Sequence, residues 1–378
     1  MILPPATLAL LGGGQLGRYF VMAAHELGYR VLVLDPDPHS PAGRIADVHL
    51  ATPFEDADTL ERIAAECAAA TTEFENVPAD ALAYLSKFIP VHPSAECVAT
   101  AQNRAREKSF LRDAGFPLAD FALIERDADA LNARHELFPG VLKIIRFGYD
   151  GKGQTRVANA AEARAAFAHF KNEPCVLEKF LPLDLEISVV LARGADGVAA
   201  CFSAAENRHR NGILDISIVP ARISAELRVE AEQIALQLAH KLDYVGVLGI
   251  EFFVCEGRLL VNEIAPRPHN SGHYTLDVCI ASQYQQQVRM LCGLPLGEAQ
   301  ARSAAVMVNL LGDLWRDGEP QWDTLLREPA LNLHLYGKHH ARPGRKMGHF
   351  TVVDVDPQRA LSIALAARQR IGITDDAN

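Results

Sequence analysis

The chain lacks a paired-cysteine motif, a long basic run, a membrane-length apolar run, and any internal repeat or low-complexity tract. Each absence closes off a class of protein. Seven cysteines (Cys67, Cys97, Cys175, Cys201, Cys255, Cys279, Cys292) are scattered, odd in number and never spaced as CxxC, so a disulfide scaffold is not expected. Several sit in apolar runs, as buried thiols do, and a reducing, cytoplasmic setting is expected. No stretch reaches the roughly 18 apolar residues of a membrane span. The opening MILPPATLALLGGG has no basic n-region, and its apolar run breaks at Gly12, so no secretory leader is expected. The formal charge of −10 and the missing basic stripe argue against a nucleic-acid partner. The one dense cationic cluster runs from Lys338 to Lys346.

What is present is a globular composition. The 378 residues are 49% hydrophobic, with 26 Gly and 21 Pro, enough for two or three domains with their own cores. Residues 6–34 read as strand, glycine loop, helix and strand, a βαβ opening, and the α/β pattern continues to about residue 100. QNRAREKSFLRDAGFP reads as a helix stopped by Gly115 and Pro117. From residue 118 the pattern turns to strands and glycine turns, including VLKII (141–145), CVLEKFL and LEISVVLAR. GVLGIEFFV and RLLVNEIA form a hairpin around Glu256-Gly257. After Gly297 a third region follows, with three strands and a closing helix from Gln358 to Ile371. The expected division is an N-terminal α/β domain over 1–102, a central domain over 103–300 containing a lid at about 118–190, and a C-terminal domain over 301–378.

Four features carry chemistry. GGGQLG matches GxGxxG at Gly12, Gly14 and Gly17, with Asp35 ending the next strand. That is a dinucleotide fingerprint in the right context, but helix-start amides hold any anion, and a tight turn alone would need the same glycines. FGYDGKGQ (147–154) is a second glycine loop, suited to close approach of phosphates. Lys143 lies upstream in an apolar strand, where burial is costly unless an anion meets it; the alternative is a lysine reaching water from an edge strand. For Glu178 and Glu186, also in apolar strands, the ordinary reading is a solvent-facing carboxylate. Glu251 and Glu263 are more telling. With a three-residue loop at Glu256-Gly257-Arg258 they oppose each other on one face, which is unfavourable without a cation between them. Hard oxygen donors suit Mg²⁺ carrying nucleotide phosphates. A two-residue loop would shift that register. Lys338, Arg345 and Lys346 are dense enough for an anion such as a sugar phosphate, or are a solvated loop.

Six motifs occur in order: GGGQLG, TTEFENV (71–77), GYDGKGQ (148–154), ENRHRNGILDISIVPA (206–221), NEIAPRPHNSGHYT (262–275), and YGK with RPGRKMGH (336–349). Together they resemble the N5-carboxyaminoimidazole ribonucleotide synthase family of purine biosynthesis, over essentially the whole chain. The resemblance implies an ATP-grasp fold, mixed α/β and α+β, with an N-terminal α/β pre-ATP-grasp domain and a small C-terminal domain. It implies that ATP is bound by Arg104, Lys143, the loop Gly148, Tyr149, Asp150, Gly151, Lys152, Gly153 and Gln154, the run Glu178, Lys179, Phe180 and Leu181, and by Glu186, His209, Asn262 and Glu263. Glu251 and Glu263 would carry Mg²⁺. Gln15, Glu73, Tyr149, Asp150, Arg267 and Asn270 would line the substrate or carboxyphosphate site, and Lys338 and Arg345 would take the ribose phosphate. The implied substrates are ATP, bicarbonate and aminoimidazole ribonucleotide, without biotin, and the implied assembly is a homodimer. One departure is Ile144-Ile145, where a more polar pair is expected. The rival readings are a nicotinamide-dependent oxidoreductase built on the first glycine loop, a non-catalytic nucleotide sensor, and an ATP-grasp ligase with another acceptor.

Overall fold

The computed structural model describes residues 1–146 and 153–374. The chain opens on four short parallel strands, β1 (Thr7–Leu11), β2 (Arg30–Leu34), β3 (Val48–Leu50) and β4 (Ala69–Thr72), in the order β3-β2-β1-β4. Apart from Thr7 and the exposed Arg30 at their starts, β1, β2 and β4 are buried because helices cover both faces, while the edge strand β3 is half-buried. The helix Gln15–Glu26 follows β1 directly, with Gly14 at its N-cap.

A second sheet is antiparallel and small: β5 (Phe121–Ile124), β6 (Gly140–Ile144), β7 (Gln154–Val157) and β8 (Cys175–Lys179), in the order β5-β8-β6-β7. Lys143 sits on β6, flanked by β8 and β7 and opposite Val176 and Gln154. It is therefore not on an edge strand. Ile144 packs against this sheet's apolar core, which accounts for one half of the unexpected Ile144-Ile145 pair.

The third sheet has nine strands. Its path is β14 (Arg258–Ala265), β13 (Gly246–Cys255), β9 (Leu185–Arg193), β11 (Ala205–Arg210), β12 (Ile213–Val219), β15 (Ala304–Leu311), β17 (Lys346–Asp354) and β16 (Leu331–Leu335), with β10 (Ala199–Cys201) added against β9. The strands after residue 300 thus extend the central sheet through the β12–β15 pairing. No helix among the described residues is long and apolar enough to cross a membrane.

Two connecting helices set the site. Arg104–Asp113 starts at Asn103, whose Oδ1 accepts from the amides of Ala105 and Arg106 at 2.9 and 3.1 Å. It ends at Gly115, which has φ +81°. Gln283–Leu291 buries three glutamines, and each is satisfied. Gln287 ties the first sheet to the third: its Oε1 accepts from Val247 N at 2.6 Å and its Nε2 donates to Thr71 Oγ1 at 2.8 Å. Gln283 accepts from His269 N and donates to His269 O, both at 2.8 Å, fixing the loop after β14.

Candidate active site

The three sheets enclose one cleft of about 1010 Å³. Its floor is the β13–β14 hairpin. The hairpin turns on two residues, Glu256 and Gly257, both with positive φ (51° and 70°), so Cys255 faces Arg258. The expected three-residue loop is incorrect. The register is nevertheless restored, because Asn262 forms a bulge: Phe252 faces Val261, and Glu251 then faces Glu263. Both carboxylates line the cleft.

Each is held by its neighbours. Glu251 Oε1 lies 3.3 Å from His269 Nε2, and its Oε2 accepts from Asn262 Nδ2 at 3.3 Å. Burial pushes the Glu251 carboxyl up, but His269 outweighs it and the group settles at about 2. Glu263 accepts from Arg104 Nη1 at 3.2 Å. Two opposed carboxylates, one amide oxygen nearby and no thiolate form a hard-oxygen donor set, which fits Mg²⁺.

On the side of the cleft formed by the second sheet, Glu178 is 3% exposed and far from solvent-facing. Its Oε2 pairs with Lys143 at 3.1 Å and with Lys108 at 3.3 Å. Burial raises this carboxyl, and the two lysines bring it down to about 2. Burial lowers the Lys143 ammonium, against the pull of Glu178. Gln154, Lys179, Phe180 and Leu181 line the same wall. Gly153 stands at φ +70° and accepts from Ile144 N at 2.9 Å. Gly148, Tyr149, Asp150, Gly151 and Lys152 lie outside the described residues. Opposite, His209 pairs with Glu186 at 3.1 Å. Burial pulls the imidazole down, but Glu186 holds it above its ordinary value.

At the other end the N-terminal glycine loop meets the C-terminal cations. Glu73 turns into the loop, accepting from Gly14 N at 2.7 Å and Gly17 N at 2.6 Å, while Gly13 N donates to Asp35 Oδ2 at 2.6 Å. A Cβ on Gly14 would stand 2.2 Å from Glu73 Oε1. The amides that a dinucleotide pyrophosphate would need are thus occupied by the protein's own carboxylates. Burial pushes Glu73 up in pKa, against the pull of those amides and of Lys338. Gln15, Lys338, Arg342, Arg345 and Lys346 also line the cleft. Burial and then the neighbouring Arg342 lower the Arg345 guanidinium, as crowded cations do. Lys338 Nζ donates to Lys346 O at 2.7 Å.

Three domain models match in order. A ribonucleotide synthetase pre-ATP-grasp domain matches residues 6–102, an ATP-grasp domain 109–284, and a phosphoribosylaminoimidazole carboxylase C-terminal domain 305–362. The N5-carboxyaminoimidazole ribonucleotide synthase of Bacillus subtilis (strain 168) is 41% identical over 355 residues, covering 93% of this chain and 92% of its own. The chain belongs to the N5-carboxyaminoimidazole ribonucleotide synthase family. Its fold is the ATP-grasp fold with the two flanking domains. The synthetase of Thermus thermophilus superposes with a TM-score of 0.91 at 38% identity, covering 98% of this chain and 100% of that one. The Aspergillus clavatus enzyme, solved with ADP and 5-aminoimidazole ribonucleotide, gives 0.87 at 29% identity, covering 97% and 98%. A nicotinamide oxidoreductase is therefore excluded as the reading of the first glycine loop.

The family's motifs converge, but not every residue in them reaches the cleft. In NEIAPRPHNSGH, Arg267, His269 and Asn270 line it. His273 turns away. It is fully buried and stacks on His349 with centroids 4.5 Å apart, and its Nδ1 meets Tyr284 Oη at 2.7 Å. Sequence reasoning left Glu75 without a role. Its carboxylate takes both Arg267 Nε and Nη2, the latter at 3.3 Å. Burial raises Glu75, and Arg267 brings it down to about 2. Arg342 also lines the cleft without having been assigned a ligand. The available signal was position: Glu75 lies in TTEFENV, two residues after Glu73, and Arg342 opens RPGRKMGH.

Proposed function

We propose that the protein carboxylates the exocyclic amine of 5-aminoimidazole ribonucleotide, using ATP and bicarbonate by way of carboxyphosphate. The observation that carries this reading is that one cleft is lined by three chemically distinct groups: the Lys143–Glu178 pair, the opposed Glu251 and Glu263, and the cations Lys338 and Arg345. ATP would lie along the wall formed by Lys143, Gln154 and the run Glu178–Leu181, with Glu186, His209, Arg104 and Asn262 completing it. Glu251 and Glu263 would hold Mg²⁺, which when bound supplies positive charge to the phosphate oxygens.

In the first step a bicarbonate oxygen bonds to the γ-phosphorus, and the bond to the β-phosphate oxygen breaks with its electrons leaving on ADP. Lys143 and Arg104 offset the charge on the transferring group. In the second step the amine nitrogen bonds to the carboxyl carbon, the carbon–oxygen bond to phosphate breaks, and the amine gives up a proton. Arg267, locked by Glu75, would face the carboxyphosphate together with Asn270, both of which line the cleft. Gln15 and Glu73 would orient the imidazole, and Lys338 and Arg345 would hold the ribose phosphate. Keeping water out of the cleft would protect carboxyphosphate from hydrolysis.

The test is ADP release with bicarbonate present, with and without aminoimidazole ribonucleotide, alongside detection of the carboxylated product. ADP release stimulated by the ribonucleotide, with product formed in step, is expected. Turnover with a different acceptor and none with this one would overturn the assignment. The assembly proposed is a homodimer, read by light scattering, and the setting proposed is the cytoplasm, in keeping with seven free thiols.

A further inference from the structure

The helix Arg104–Asp113 meets strand β14 along one face. Residues 104, 107 and 108 share that face by helical spacing, and they address three consecutive residues of the strand. Arg104 Nη1 donates to Glu263 at 3.2 Å, Glu107 Oε1 accepts from Ile264 N at 2.6 Å, and Lys108 Nζ donates to Asn262 O at 3.0 Å. Asn262 is the bulged residue that brings Glu263 opposite Glu251. A bulged residue falls out of the strand ladder, so its carbonyl needs another donor. Lys108 supplies it.

The same ammonium reaches the other side of the cleft, pairing with Glu178 at 3.3 Å, and Glu178 in turn pairs with Lys143 at 3.1 Å. Lys108 is 1% exposed and is not among the residues lining the cleft. A lysine with so little access to water persists only when its charge and its N–H groups are met. Here they are met by one group from the hairpin and one from the second sheet.

We propose that Lys108 is a positioning residue that holds the Asn262 bulge and the Glu178 carboxylate at once, and so sets the Glu251–Glu263 pair at a fixed place relative to Lys143. This rests on the reading of that pair as the Mg²⁺ carboxylates. It assigns Lys108 no contact with nucleotide or metal. Partners one step behind metal ligands typically change metal affinity or activity by roughly 10–100-fold.

The readout is ADP affinity by calorimetry, with and without Mg²⁺, and the ratio of the two. Lys108→Met is expected to cut that ratio by roughly 10–100-fold, with a smaller loss of magnesium-free affinity. Because Lys108→Met also strips the buried Glu178 carboxylate of a partner, the ratio is measured again in Glu178→Gln with and without Lys108→Met, where that carboxylate is gone. The ratio should fall there too. A lowered melting temperature with an unchanged ratio, in either background, would overturn the proposal and leave Lys108 as an ion pair of the core. A wild-type protein whose ADP affinity gains nothing from Mg²⁺ would instead overturn the metal reading beneath it.

Discussion

Glu251 stands directly opposite Glu263 across a hairpin whose turn, taken alone, would have misaligned them. The two-residue turn pairs Cys255 with Arg258, and the extra residue at Asn262 shifts the strand by one to bring the carboxylates together. A one-residue shift flips every later side chain to the other face. The bulge therefore decides whether Glu263 points into the cleft or away from it.

Glu263→Gln is expected to leave the fold intact and to abolish ATP turnover. It removes one of two opposed charges from the proposed metal site, and Mg²⁺ held by a single carboxylate carries nucleotide phosphates poorly. Near wild-type turnover, measured as ADP release, would show that the hairpin does not bind the metal.

Lys338→Ala or Arg345→Ala should raise the KM for aminoimidazole ribonucleotide and leave the KM for ATP nearly unchanged. A charge-assisted contact to phosphate contributes roughly 1.5–3 kcal/mol, or about ten- to a hundredfold in affinity. Steady-state kinetics with each substrate varied in turn separate the two. Equal rises in both would move the ribose phosphate elsewhere.

Stability should respond to pH with two opposite signs. Glu178 and Glu75 are held near 2 in the folded protein against an ordinary 4.5, so the stability they contribute is present above about pH 4.5 and is lost as pH falls toward 2. Glu107 is the reverse. Burial first, and then the charge of Glu263, raise it from 4.5 to about 8. The folded protein keeps that proton where the unfolded chain has released it, so this contribution fades as pH rises from 4.5 through 8. Buried His273 and His349, held neutral in the fold, add an opposite rise at the low end of this range in both proteins, so the measure is the difference: the urea midpoint of the wild type relative to Glu107→Gln should fall from pH 5 to 9. Parallel curves would show that Glu107 ionises normally.

Glu73→Ala should lower stability by about 1–3 kcal/mol, the range for leaving buried donors unmet. It leaves the amides of Gly14 and Gly17 without an acceptor. Glu73→Gln keeps one acceptor oxygen and should lose less. Thermal melts of the two variants decide this, and a silent Glu73→Ala would mean that water replaces the carboxylate at no cost.

Much of the framework was legible in the chain itself. The strands around Leu10, Val33, Leu142, Val190 and Val308 are short apolar runs bounded by turn residues, and local periodicity is enough to find them. The helix carrying Arg104 and Lys108 is announced by its stop at Gly115 and Pro117. The six ordered motifs carried the family, and the cations of RPGRKMGH were visible as a cluster. These are all short-range features, set by propensity, capping and spacing.

The rest of the site depends on pairings between distant residues. Nothing local in RLLVNEIA marks Asn262 as a bulge, because a bulge is a relation between two strands rather than a property of one. Nothing in QYQQQVRML shows that Gln283 grips His269 and Gln287 joins two sheets, since those partners lie 14 and 216 residues away. The same holds for Glu73, 59 residues from the Gly14 amide it occupies, and for Lys108, 154 residues from the carbonyl it holds. Buried polar groups find whichever partner the packed fold leaves within reach, and that choice is made by the free energy of the whole assembly of sheets. Local pattern and motif order were enough for the elements and the family; the packing of those elements settled which carboxylates, lysines and histidines share the cleft.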